Sequence, residues 1–251
     1  MPTPFYHHRV AAELLQHPSL PDNLRQVFAT QLPAFFLGHV APDVQVVSGQ
    51  SRDETHFYTI PLPAQKTDPC TQFLTQYPSL AKSDRLSEAQ RVFMAAYLCH
   101  LQADWIWLLE IFLPFFGHKA QWSTLPERLY LHNVLRSYLD FQALDSLNEN
   151  VRTSLAAANP QGWLPFVLDG HLQTWRDILA KQLEPGAPIQ TVEVFATRQG
   201  ISTQEYYRLL ASETEMEQRI FKVLSRERLA QYNTQLLKGG VQLLTNYLAY
   251  I

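Results

Sequence analysis

Apolar residues along this chain of 251 residues return every three or four positions, the spacing that turns one face of a helix toward a core. Thr3 followed by Pro4 predicts a first helix, with an N-cap and a proline at its first position, running to about Gln16. Ser87 with Gln90, Thr124 with Glu127 and Ser202 with Glu205 each fit a capping box, in which side chain and backbone satisfy each other's orphan donors. The helix after Ser87 is expected to reach about Leu113, where Pro114 and Gly117 stop it. Beyond Ser202, the residues Tyr206, Leu209, Leu210, Met216, Ile220, Val223 and Leu224 keep helical spacing. Leu229, Leu236, Leu237, Leu243, Leu244 and Leu248 mark a last helix over roughly 227–250, with Gly239-Gly240 as a weak point or kink. Only Val44–Val47 and Gln190–Phe195 read as extended, and both are short. The fold class read from this pattern is all-α.

Two stretches break the helical pattern. Ser48 to Pro69 is poor in helix formers and carries Pro61, Pro63 and Pro69, which predicts a long surface loop between the second and third main helices. Loops of that length inside a compact domain are often functional. The second break, Glu184-Pro185-Gly186-Ala187-Pro188, divides a helical domain over 1–184 from a helical extension over 185–251 packed on the same domain. No internal repeat is visible.

Composition narrows the function classes. Charged residues are 17% of the chain, against roughly 25% in typical soluble proteins. Twenty Lys and Arg against 23 Asp and Glu give a net charge of −3 with no basic tract, which argues against sequence-specific nucleic-acid binding through phosphate neutralisation. Cys70 and Cys99 are far apart and form neither a disulfide framework nor a CxxC knuckle. Val92 to Phe116 is strongly apolar, but His100, Gln102, Asp104 and Glu110 interrupt it before a transmembrane span is complete. The amino terminus lacks the apolar core of a signal peptide, so a soluble, cytoplasmic protein is expected.

The sharpest chemical feature is His100-Leu-Gln-Ala-Asp104, an i, i+4 pair on one helix face. Phe93, Tyr97, Trp107, Leu108 and Ile111 share that face, so it should point into the core. A carboxylate there is costly unless paired, hydrogen-bonded or bound to metal. A satisfied His–Asp pair serving structure alone fits the same spacing. His7 in the first helix, Asp43 in a Pro-Asp turn and His56 in the long loop add to the pair. Together, three imidazoles and two carboxylates come from four segments, a donor set suited to zinc. His8 reads as an exposed neighbour of His7, and His39 as a cap or a donor to a ligand. His118 and His171 follow glycines at helix boundaries, and Trp105, Trp107 and Trp122 read as core or pocket wall. Arg52, Asp53 and Glu54 beside His56 read as a solvated cluster, or as groups that meet an anionic substrate or fix the loop. No GxSxG elbow supports serine-type catalysis.

The order His7, Gly38-x-x-x-Pro42-Asp43, Thr55-His56 and His100-x-x-x-Asp104 on an all-α chain resembles the zinc-dependent phospholipase C family and its related single-strand nucleases. The resemblance covers about residues 1–140. It implies a phospholipase C-like bundle in which Asp43, His56, His100 and Asp104 hold one zinc, and Asp104 bridges to a second that His7 also binds. The family's third zinc uses a His six residues after the bridging Asp and a later His-x-x-x-Glu or His-x-x-x-Asp pair. Here Glu110 stands six residues after Asp104, and Arg136 stands four after His132, so the third site is incomplete and Glu110 and His132 are secondary candidates. The implied activity is hydrolysis of a phosphoester or phospholipid head group by zinc-activated water, with Asp43 as proton acceptor. The rival expectation is a non-catalytic all-α metal-binding or interaction protein with a degenerate site.

Overall fold

The computed structural model describes residues 1–120 and 124–249. Among them are fourteen α-helices and no strand. In chain order, α1 is Pro4–Gln16, α2 Asp22–Thr30, α3 Leu32–Gly38, α4 Gln45–Ser48, α5 Arg52–His56, α6 Pro69–Gln76 and α7 Glu88–Trp107. After a π-helical continuation over Leu108–Phe116 come α8 Leu125–Ser146, α9 Glu149–Ala156, α10 Asp169–Gln182 and α11 Thr191–Gln199. The chain closes with α12 Thr203–Leu210, α13 Glu213–Met216 and α14 Arg226–Tyr247.

The centre of the molecule is α7, buried on nearly every face from Val92 to Trp107, as expected of a helix that is apolar all round. Helices α3, α6 and α14 pack against it, while α1 lies against α8. Glu88–Phe116 is long and apolar enough to cross a membrane by length and composition, yet 78% of that window is packed inside the protein. Ser87, Thr124 and Ser202 each accept the expected hydrogen bond from the backbone N–H three residues on, and thereby start α7, α8 and α12.

Two close approaches depend on glycine. A Cβ on Gly38 would fall 2.3 Å from the Phe93 carbonyl oxygen and 2.7 Å from the Ala96 Cβ, so only glycine lets the end of α3 lie directly on α7. A Cβ on Gly240 would meet Leu14 at 2.9 Å, so this glycine lets α14 close on α1. Gly239-Gly240 therefore sits inside the continuous α14 as a contact point, where the sequence suggested a weak point or kink.

Several expectations need correction. Val44–Val47 is helical, shared between a 3₁₀ turn over Ala41–Val44 and α4. Gln190–Phe195 contributes to α11. Pro114 does not end its helix: the wider π turns carry it to Phe116. Thr3 makes no side-chain cap, because its hydroxyl donates to Asp140 instead. The loop after Ser48 contains α5, started by a capping box between Ser51 and Glu54. Trp122 lies outside the described residues.

Candidate metal centre

Four segments converge on one buried point. From α7 come His100 and Asp104, one turn apart and exposed by 0% and 1%. His7 comes from α1, whose start is fixed where the carboxylate of Asp140 accepts from the Thr3 hydroxyl and the Tyr6 N–H. Asp43 lies in the 3₁₀ turn after α3, and His56 is the last residue of α5. The chain leaves α5 through Phe57, whose positive φ of 60° ends the helix immediately after His56. The Tyr97 hydroxyl donates to the Thr55 carbonyl at 2.6 Å and pins α5 against α7.

Backbone carbonyls set the imidazoles. His100 Nδ1 lies 2.8 Å from the His39 carbonyl oxygen, and His56 Nδ1 lies 3.2 Å from that of Arg52. A carbonyl only accepts, so Nδ1 of His100 carries the proton and its Nε2 presents a lone pair, while Nδ1 of His56 faces both the Arg52 carbonyl and, at 3.0 Å, the Thr55 hydroxyl. The two Nε2 atoms face each other at 3.4 Å. Burial lowers the pKa of both rings, His100 to about 3. With His56 protonated on Nδ1, both Nε2 lone pairs are free for a cation between them.

The carboxylates complete the arrangement. Asp104 turns Oδ1 toward His7 Nε2 at 3.4 Å and Oδ2 toward His56 Nε2 at 3.5 Å, with His100 Nε2 3.9 Å from Oδ2. Asp43 Oδ1 lies 3.5 Å from His56 Nε2. These atoms form two overlapping groups that could hold ions, His7–His100–Asp104 and Asp43–His56–His100. Ligands of a tetrahedral ion with bonds of about 2.0–2.1 Å stand roughly 3.3 Å apart, close to most of these separations. Both ring nitrogens of His7 and Oδ1 of Asp104 are buried without a hydrogen-bond partner, which leaves them available to an ion. Burial opposes ionisation of Asp104, but the neighbouring Arg52 guanidinium overrides it and holds the carboxyl well below its ordinary range. Asp43 and Asp104 set two carboxylates against the one guanidinium of Arg52.

Thus His7, Asp43, His56, His100 and Asp104 are brought together. Glu110 and His132 are not. Glu110 pairs with Arg228 from α14, and His132 Nε2 accepts from the Trp107 indole at 3.1 Å among Phe112 and Phe116. His8 is fully buried rather than exposed, lies outside both groups and edges against Phe36. His39 serves through its backbone carbonyl rather than its ring. Arg52, expected in solvent, bonds Asp104 and covers the Tyr58 ring at 4.9 Å. The Ser51-x-x-Glu54 box was the sequence signal for the short helix that carries Arg52 inward.

A cavity of about 470 Å³ opens beside the cluster, with Asp43, Arg52 and His132 in its wall. Comparison with protein-family models, curated proteins and solved structures finds no match to this chain.

Proposed function

We propose that the protein is a metal-dependent phosphoric-ester hydrolase on a phospholipase C-like helical bundle. The convergence of the Nε2 atoms of His56 and His100 with Asp43 and Asp104, in two overlapping groups whose spacing suits an ion, carries this reading. Zinc suits an imidazole and carboxylate set, and when bound it supplies Lewis acidity and a water of lowered pKa. His7, Asp43, His56, His100 and Asp104 are the residues that would hold it.

The chain's own residues divide the remaining work. The His39 carbonyl keeps His100 in the ligating tautomer. Asp43 is 18% exposed and borders the cavity, so its oxygen not facing His56 is the proton acceptor we assign. Asp104 is 1% exposed and tied to Arg52, which leaves it a positioning and ligating role. The substrate is a phospholipid head group or another phosphodiester entering from the cavity.

The Arg52–Asp104 pair favours a second reading, a degenerate centre in which the guanidinium takes the place of one ion. Protein purified without chelators should carry at least one zinc-class ion per chain, lost in His100→Ala, and should hydrolyse phosphodiesters above an Asp104→Asn background. Metal without turnover favours the degenerate centre, and absence of bound metal overturns both.

A further inference from the structure

The cavity beside the centre holds a second feature that metal binding does not explain. Arg136 of α8 lines it, one turn after His132. The Arg136 guanidinium has no carboxylate ion pair among the described residues, and its buried Nε has no hydrogen-bond partner. Its visible contacts are Nη1 to the Asn133 side chain at 3.0 Å and the Phe195 ring at 4.4 Å. A ring face and an amide offset only part of the cost of removing this charge from water. Burial lowers its pKa to about 10, which leaves it fully charged at neutral pH.

The rest of the wall shows what would neutralise it. Arg52 and Arg198 also line the cavity, and Asp43 is the only carboxylate among the lining residues. Arg52 is already matched by Asp104, so the excess charge is positive and centred on Arg136. Trp175, Ile178, Val194 and Phe195 give the wall an apolar stretch, alongside the polar Gln182, Gln190 and Thr191. An occupant that satisfies both features is an organic anion, with its charge at Arg136 and its apolar body along α10 and α11.

We propose that Arg136 recognises a negatively charged group of the substrate, distinct from the phosphoryl group at the metal centre, and so selects anionic over neutral or zwitterionic phosphoesters. This rests on the hydrolase reading for what the ligand is. The recognition itself is a property of Arg136 and the cavity, and it can be measured without metal.

The test is calorimetric titration of EDTA-treated full-length protein with naphthalene-1-sulfonate, and with 1-naphthalenemethanol as its neutral counterpart. The sulfonate should bind at least roughly tenfold more tightly than the alcohol, a difference of about 1.4 kcal/mol. Arg136→Gln should abolish that preference while keeping alcohol binding, and Arg136→Lys should restore part of it. Retained alcohol binding shows that the Gln variant still forms the cavity. If that variant does not fold, the Lys variant and Arg198→Gln carry the test, both expected to weaken the sulfonate alone. Equal affinity for sulfonate and alcohol, or a preference unchanged in Arg136→Gln, overturns the proposal. Metal content of the untreated protein judges the centre separately, so the two readings fail by different measurements.

Discussion

Lowering the pH from 7 to 5 should remove much of this protein's stability. His8, His39, His100 and His132 are exposed by 4% or less. Burial pushes each imidazole below its ordinary range, His8 and His100 to about 3. The native protein therefore keeps His8 and His100 neutral at pH 5, while the unfolded chain protonates them near 6.5. Over that window the unfolded state binds more protons, so stability falls as pH falls from the unfolded value toward the folded ones. With an unfolded pKa of about 6.5, each of these two rings costs about 1.9 kcal/mol between pH 7 and 5, together roughly 4 kcal/mol, and His39 and His132 act in the same direction. Asp140 has the opposite sign. Burial raises its carboxyl to about 6 against hydrogen bonds from Thr191, Thr3 and Tyr6, so the native state takes up a proton first. That returns about 1.3 kcal/mol over the same interval. The net loss of at least about 2.5 kcal/mol compares with a whole domain stability of about 5–15 kcal/mol. Urea unfolding at half-unit pH steps in EDTA, followed by tryptophan fluorescence and circular dichroism, measures it. A loss below about 1 kcal/mol by pH 5 would refute the reasoning, because it requires the native state to protonate His8 or His100 as the unfolded chain does.

Other outcomes follow from single contacts. Gly38→Ala should push α3 off α7 at a cost of about 1–3 kcal/mol and weaken metal binding, read by urea melts and zinc titration, because the His39 carbonyl moves away from His100. Tyr97→Phe leaves the Thr55 carbonyl without its donor and should cost about 1–3 kcal/mol by the same melts, with weaker metal binding through His56. Glu110→Gln should leave metal content unchanged while Asp104→Asn lowers it, by elemental analysis; equal losses would return Glu110 to the centre. Zinc at a hundred times its dissociation constant should stabilise the wild type by about 2.7 kcal/mol in denaturant melts, and His100→Ala should lose that gain.

Much of the architecture was legible in local chemistry. Ser87, Thr124 and Ser202 announced their helices because an N-cap acts on a backbone donor only a few residues away. The apolar run around His100 was legible as a core helix for a similar reason, since periodicity is a property of the segment itself. Val44–Val47 and Gln190–Phe195 misled, because four to six apolar or β-branched residues suit a strand as well as a buried helix. Their contacts with α10 and α8, not their propensity, decided the outcome. Thr3 misled in a different way: Asp140, 137 positions away in the chain, takes both the Thr3 hydroxyl proton and the Tyr6 N–H that a cap would have accepted.

For the candidate centre, the sequence alone determined that His100 and Asp104 share a helix face and that His7, Asp43 and His56 carry the same donor chemistry. Their meeting was decided by tertiary structure. Gly38 lets α3 reach α7, Tyr97 fastens α5, and the His39 carbonyl just past α3 chooses which nitrogen of His100 stays bare. Tertiary structure also turned Arg52 onto Asp104 and left Arg136 without a direct ion pair among the described residues, while Glu110 and His132 found partners elsewhere. The physical reason is common to all of these. Residue type and spacing fix what a side chain can offer, but burial and the nearest long-range partner fix which offer is taken up, and neither is encoded in any short stretch of chain.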